Sequence, residues 1–163
     1  MVSPGLTVDE VVARLAETPA RIAGATEGLT PTQLRARPEP AEWSATEVLA
    51  HLRACADQWG GCIAAMLAED HPTLRAVNPR TWVRSTDYPD LAFRPSFAAF
   101  AAQRAELLAS LEPLPSAAWS RAATVTGAGA ALERTVLFYA RWLVRHERPH
   151  LKQIARIAES MRR

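Results

Sequence analysis

The stretch LVRHERPHLKQ, residues 143–153, lies in the longest amphipathic segment of the chain and decides the fold. From Leu132 to Ile157 one face repeats in steps of four and three, which is the pattern of a helix packed against a core. Its members are Leu132, Val136, Tyr139, Leu143, His146, His150, Gln153 and Ile157. Two successive positions carry imidazoles, and a buried polar group without a partner costs about 1–3 kcal/mol. A divalent metal ion is one partner that would satisfy both rings.

A third imidazole belongs to another predicted helix. His146 and His150 are four residues apart, so both project from one side of their helix and can chelate one ion. His51 flanks the apolar stripe of a helix that begins at the capping box Ser44–Glu47. If the two helices are antiparallel, the three rings lie at similar depth. Three neutral imidazoles leave open positions on zinc, nickel or ferrous iron, which is typical of a catalytic site.

Two alternatives explain the same histidines. They could be core or interface residues that hydrogen-bond to backbone or to carboxylates. The segment His146–His150 also matches the HExxH pattern of zinc proteases, in which Glu147 would be the general base. Pro149 removes a helical hydrogen bond inside that pattern, and Glu159 is the one acidic residue placed downstream as a further ligand. Glu147 is otherwise predicted to be solvated or to support a ligand.

Further candidates surround the three histidines. Cys55 follows His51 by one helical turn and is either a thiolate ligand or a small core residue. Gln153 continues the histidine side by one turn and could hydrogen-bond a ligand histidine or a metal-bound water, or cap the end of the bundle. His71 is predicted to be a surface loop residue. The tryptophans Trp43, Trp59 and Trp142 are predicted to be packing residues. Three arginines of the long connection are candidates for binding carboxylates of a cofactor, or are simply solvated; they are Arg75, Arg80 and Arg84. Arg80 is also a candidate for contacting the substrate or supporting a ligand.

The remaining pattern predicts an all-α chain. Four long helices are expected, with a short one at Pro31–Arg35. The first is expected to begin at the capping box Thr7–Glu10, the third at about Pro95, and the last to run from about Ala130 to Met161. Residues 70–94 show neither helical nor strand periodicity, and a connection of this length lets the third helix run parallel to the second. No β-hairpin is predicted, and Val125 is the only hint of a strand.

Composition limits the class of protein. A length of 163 residues and a hydrophobic fraction of 48% predict a single domain over residues 1–163. No basic patch indicates nucleic acid, no apolar run is long enough for a membrane span, and Met1 to Glu10 do not resemble a signal peptide. Cys55 and Cys62 are about 10.5 Å apart along one helix, too far for a disulfide. A cytoplasmic protein is expected.

Three separated segments resemble the DinB-like superfamily. Residues 42–52, EWSATEVLAHL, are similar to the opening of its second helix, and residues 145–154, RHERPHLKQI, to the "H-x-x-x-H-x-x-Q-I" of its final helix. Residues 28–38 resemble its first connection. One departure is Pro149, where the family often has a polar residue or histidine.

The resemblance implies an up-down-down-up four-helix bundle with a metal site at His51, His146 and His150. It also implies a homodimer and a small-molecule substrate, because some relatives use low-molecular-weight thiols such as mycothiol or bacillithiol in transfer or isomerisation. The leading hypothesis is therefore a metal-dependent enzyme that activates a thiol or water as an S-transferase, isomerase or hydrolase. The alternatives are a non-catalytic metal-binding or dimerising bundle in a stress response, and an HExxH-type metallohydrolase.

Overall fold

The computed structural model describes residues 5–163, and its long elements are helices. Residues 1–4, part of the segment expected to carry no signal peptide, lie outside the described range. The helices are α1 (Val8–Thr26), α2 (Pro31–Arg35), α3 (Ala45–Ala68), α4 (Pro79–Trp82), α5 (Phe93–Leu111) and α6 (Val136–Met161). The expected short helix at Pro31–Arg35 is confirmed, whereas α5 begins two residues before the predicted Pro95.

Capping boxes define where three of these helices begin. Thr7 and Ser44 accept hydrogen bonds from the backbone N–H groups of Glu10 and Glu47, whose carboxylates in turn accept from the cap N–H groups. Both predicted capping boxes are confirmed, and Thr30 heads a third one. Such caps satisfy N–H groups that the helix itself leaves free. The start of α3, two turns before His51, is thereby fixed.

The four long helices pack around two apolar clusters. Helices α1 and α3 each contact both α5 and α6. One cluster, around Leu49 and Ile154, joins the start of α3 to the end of α6. The other, around Met66 and Leu143, joins the end of α3 to the start of α6. The imidazoles lie on the α3–α6 interface.

A small sheet corrects the all-α prediction. The strands are β1 (Thr73–Arg75), β2 (Ala122–Thr126) and β3 (Leu132–Thr135), in the order β1-β2-β3. Strand β2 pairs parallel with β1 and antiparallel with β3. Ala123 and Val125 alternate inward from β2, and the β2–β3 turn contains Gly127 and Gly129 at φ 89° and 87°, a conformation that favours glycine.

The start of the last helix also differs from the prediction. Residues 132–135 pair with β2 as strand β3, so α6 begins at Val136 instead of Ala130. Leu132, predicted as the first member of the helical stripe, is 38% exposed. The segment is short and ends in the β-branched Thr135, and its pairing with the adjacent edge of β2 makes it a strand.

The core-facing stripe of α6 contains Val136, Tyr139, Leu143 and Ile157 as predicted, but between Leu143 and Ile157 it is displaced by one residue. Glu147 and Leu151 are buried, while His146 and His150 are half-buried beside them. The histidines therefore flank the core and face α3. The carboxylate of Glu147 can be buried because other helices of the bundle provide it with charged and polar partners. A hydrophobic pattern in the sequence does not show such partners.

The long connection between α3 and α5 is folded against α3. It contains β1, α4 and two short 3₁₀ turns, Val83–Ser85 and Tyr88–Asp90. The carboxylate of Asp57 in α3 accepts hydrogen bonds from Trp82 Nε1 (3.0 Å) and Tyr88 Oη (2.6 Å). Among the described residues, no helix is both long and apolar enough to span a bilayer.

Candidate metal centre

The three histidines predicted as ligands lie together. The ring centroids of His51, His146 and His150 are 4.8–5.1 Å apart and form a nearly equilateral triangle. Helix α3 contributes one ring and α6 contributes two from successive turns. Each ring is tilted against the others by 58–68°, so the three are not stacked as an aromatic cluster.

The ring nitrogens of His51 and His146 have the spacing of two ligands on one ion. Their Nε2 atoms are 2.9 Å apart. Nitrogens that each bind an ion at about 2.0–2.1 Å are themselves about 3 Å apart. Without an ion, the same distance requires one of the two Nε2 atoms to carry a proton. The donor set therefore fits a divalent metal.

The environment keeps both of these imidazoles neutral. Burial lowers the pKa of His51 to about 4, with further lowering from the charges of His150, His146 and Arg80. Burial likewise lowers the pKa of His146 to about 4, followed by the charges of His150 and Arg80. A metal ligand must be neutral imidazole, so at neutral pH neither ring has to lose a proton before it binds an ion.

Hydrogen bonding to backbone or carboxylate groups does not account for the position of His51. Its ring is buried, and Nδ1 is the one buried side-chain nitrogen or oxygen without a partner among residues 5–163. Within the same residues, none of the three rings hydrogen-bonds to a backbone carbonyl or carboxylate. The alternative of ordinary core histidines predicted such partners. The observed contacts instead link the rings to each other, to Cys55 and to Gln153.

Gln153 orients the third ring. Its Oε1 lies 2.9 Å from His150 Nδ1, and because an amide oxygen only accepts, Nδ1 is the protonated nitrogen. Nε2 then carries the lone pair. The indole of Trp43, just before α3, stacks on the other side of this ring at 6.3 Å and 11°. An outer hydrogen bond of this kind is what fixes the tautomer of a histidine ligand.

Cys55 adds sulfur to the cluster. Its Sγ is 3.6 Å from His51 Nε2. The potential ligand atoms of His51, Cys55 and His146 all lie within 4.8 Å of one another, and this close group does not include His150. Burial raises the pKa of the thiol well above its ordinary value, and the charge of Glu147 raises it further. The side chain is therefore a neutral thiol unless a cation deprotonates it directly.

Glu147 occupies the interior and is neither solvated nor free to act as a base, which corrects two predictions. Its carboxylate forms a buried salt bridge with Arg104 of α5 and accepts a 2.8 Å hydrogen bond from Thr18 Oγ1 of α1. Arg104 also donates to the carbonyl of Leu15 at 3.0 Å. A carboxylate bound on this side of α6 cannot also serve as the HExxH base.

Arg80, unlike Arg75, reaches the histidines. Arg80 and Arg84 line a cavity of about 260 Å³ together with Trp43, Glu47 and His51. Arg75 lies in β1, and His71, predicted as a surface residue, is exposed and contacts Thr124 of the sheet.

Two tryptophans near the rings were interpreted from sequence only as packing residues. Trp59 packs edge-on against His146 at 4.9 Å and against Trp142 at 5.8 Å. Trp142 is 40% exposed and precedes His146 by four residues, one turn on the same side of α6. That spacing was the available signal that it borders the site.

Comparisons with known proteins identify the fold and the family. No curated protein matches the chain. Among solved structures, the chain is similar to YfiT from Bacillus subtilis, described as "a probable metal-dependent hydrolase with an unusual four-helix bundle topology", at 21% identity and a TM-score of 0.78. The match covers 94% of this chain and 87% of YfiT, and at this identity it shows a shared fold. The family model of the DinB superfamily matches residues 14–154. This chain belongs to the DinB superfamily.

Proposed function

We propose that this protein is a metal-dependent hydrolase of a small molecule, with His51, His146 and His150 as the metal ligands. The observation that carries the proposal is the convergence of three imidazoles from two helices, with the Nε2 atoms of His51 and His146 2.9 Å apart. The description of YfiT as a probable metal-dependent hydrolase supports the same reaction class.

The side chains around the site have separable roles. The three imidazoles are neutral ligands, so a divalent ion would keep its full charge. Gln153 holds His150 in the tautomer with a free Nε2. Trp59 packs edge-on against the ring of His146. When bound, a divalent ion supplies Lewis acidity, which lowers the pKa of water towards neutrality and polarises a carbonyl group. Zinc, nickel and ferrous iron all suit imidazole ligands.

We further infer the up-down-down-up order of α1, α3, α5 and α6 as the framework of the site. Later residues of α3 contact earlier residues of α6, which makes these two helices antiparallel. Later residues of α3 contact later residues of α5, and the same holds for α1 and α6, which makes each of these two pairs parallel. The supporting pairs are His51–His146 and Trp59–Trp142, Arg53–Ser96 and Asp57–Gln103, and Leu6–Arg141 and Ala25–Arg162. An antiparallel α3–α6 pair brings the second turn of α3 to the histidines of α6.

Metal content tests the ligand assignment. Protein purified without a histidine tag should hold about one divalent ion per chain by elemental analysis. His51→Ala, His146→Ala and His150→Ala should each lose most of it. His71→Ala is the matched control, because His71 is exposed and lies on the sheet. Equal metal in wild type and His146→Ala would contradict the assignment.

Hydrolysis tests the reaction. Esters, amides and lactones of small acids should be cleaved by the metal-loaded protein, and the activity should disappear with a chelator and return with the ion. The His71→Ala protein should behave as wild type. Activity that persists in His146→Ala after chelation would exclude the proposed site as its source.

A thiol nucleophile and a homodimer remain predictions from the family resemblance. The same assays with and without mycothiol or bacillithiol distinguish the two nucleophiles, since hydrolysis needs no thiol. Light scattering after size-exclusion chromatography measures the assembly. A non-catalytic metal-binding role predicts metal content without turnover in any of these assays.

A further inference from the structure

We propose that the cavity beside His51 binds the carboxylate of the substrate, with Arg80 and Arg84 as its cationic ligands. The inference deepens the proposed function, because it names the chemical class of molecule that the histidine site would act on: a small carboxylic acid derivative with its anionic group next to the bond that reacts.

The cavity has a net positive lining. Arg80 and Arg84 both face it, and neither forms a salt bridge with any residue between 5 and 163. Glu47 also lines it, but its carboxylate is bound by the guanidinium of Arg37 and by the backbone N–H of Ser44. The one acidic group of the cavity is thus already neutralised, and two cationic groups remain for an anionic ligand.

Both arginines stand on an anchored segment. Asp57 of α3 holds Trp82 and Tyr88 on either side of Arg84 through hydrogen bonds of 3.0 and 2.6 Å. The guanidinium of Arg80 lies 5.5 Å from the ring of Trp43, close enough for a cation–π contact. The backbone that carries both arginines is therefore already ordered before an anion enters the cavity. This reduces the entropic cost of binding the anion.

Size and shape favour a carboxylate on a small molecule. A volume of about 260 Å³ lies just below the usual range of roughly 300–1,000 Å³ for ligand pockets. It admits an anionic group with a short apolar or aromatic body against Trp43. The planar guanidinium matches a carboxylate with two parallel hydrogen bonds, and it can match a phosphate in the same way. Because His51 lines the same cavity, the anionic group would sit next to the imidazoles.

Binding of simple probes tests the inference without turnover. Benzoate, phenyl phosphate and uncharged benzamide are titrated by ligand-detected NMR into the full chain, both metal-loaded and chelator-treated. Benzoate should bind more tightly than benzamide in both forms. Arg80→Gln and Arg84→Gln should each weaken benzoate binding by about tenfold, as expected for the loss of a charge-assisted hydrogen bond, and leave benzamide unchanged. Tighter binding of phenyl phosphate than of benzoate would show that the cavity prefers a phosphate ester, and the carboxylate assignment would be wrong.

The matched control is Arg75→Gln, which removes an exposed arginine of the same connection that does not line the cavity. It should bind benzoate as wild type does. The inference is overturned if benzoate binds no better than benzamide, or if all three arginine variants weaken it equally, which would indicate a general charge effect. Since the chelator-treated form is measured separately, absence of hydrolysis would reject the proposed function while leaving this result intact.

Discussion

Glu147 forms its salt bridge with Arg104 inside the bundle, and it directly follows His146 in α6. Successive residues of a helix point about 100° apart, so a carboxylate fixed towards α1 and α5 turns the preceding imidazole towards α3. The buried charge thereby sets the rotation of α6 on which the histidine triangle depends. The Thr18 hydroxyl adds a second constraint from α1.

Removing one partner of this pair should be costly. Arg104→Met leaves an uncompensated carboxylate in the interior, and we expect unfolding free energy to fall by about 3–5 kcal/mol. The double variant Arg104→Met/Glu147→Leu should recover a large part of that loss, because no buried charge remains. Urea denaturation measures both. The exposed pair Arg156–Glu42 is the control, and Arg156→Met should cost less than about 1 kcal/mol. A double variant as unstable as the sum of its single variants would contradict this account.

Gln153→Leu should weaken metal binding without removing a ligand. The amide oxygen that accepts from His150 Nδ1 is lost, so the ring can rotate or adopt the other tautomer. Loss of such an outer hydrogen bond typically lowers metal affinity by about 10–100-fold. Titration against a competing chelator gives the affinity. Lys152→Ala, an exposed neighbour in α6, should leave it unchanged; equal affinities for wild type and Gln153→Leu would show that His150 does not depend on this contact.

Stability of the chelator-treated protein should fall in mild acid. The pKa values of His51 and His146 are about 4 in the fold and about 6.5 in the unfolded chain. Between these values the unfolded state binds more protons than the folded one. The contribution of these two rings to the free energy of unfolding therefore has its full value above about pH 6.5 and is lost as the pH falls towards 4.

The His51→Ala/His146→Ala variant separates these rings from other groups. Its stability between pH 6.5 and 4 should change less than that of the wild type, measured by urea denaturation at each pH. His71→Ala, which removes an exposed imidazole, should retain the wild-type dependence. A decline that is the same in all three proteins would assign the effect to groups outside the site.

The sequence predicted what is encoded locally. Capping boxes at Thr7 and Ser44 and the proline-headed α2 depend on residues within one turn, and all three are found. His146 and His150 lie near each other because four residues make about one turn. The prediction for His51 needed only an antiparallel pairing of two recognisable helices, and its ring lies 4.9–5.1 Å from the other two.

The sequence patterns did not predict features that depend on residues far apart in the chain. Residues 132–135 form a strand because β2 offers them an edge, and the pairing of Thr135 with Ala122 is not visible in either segment alone. Glu147 is buried because Arg104 lies opposite it, 43 positions away. A hydrophobic pattern assigns charged residues to the surface by default. It therefore cannot predict a salt bridge that is buried in the core.

Asp57→Ala should release the segment that carries Arg80 and Arg84. The carboxylate accepts hydrogen bonds from Trp82, Tyr88 and Gln103, the last at 2.8 Å, and no other side chain of the described chain holds both aromatic residues. Hydrogen exchange followed by mass spectrometry should show faster exchange over residues 79–91, with α1 and α6 unchanged, because opening of this segment needs no disruption of the bundle. Glu106→Ala removes an exposed carboxylate of α5 as a control and should exchange like wild type. Benzoate binding should weaken in Asp57→Ala in parallel with the faster exchange, since the arginines would then be ordered only on binding. Unchanged protection of residues 79–91 would show that α3 holds the connection by other contacts, and the anchoring step of the carboxylate site would fail with it.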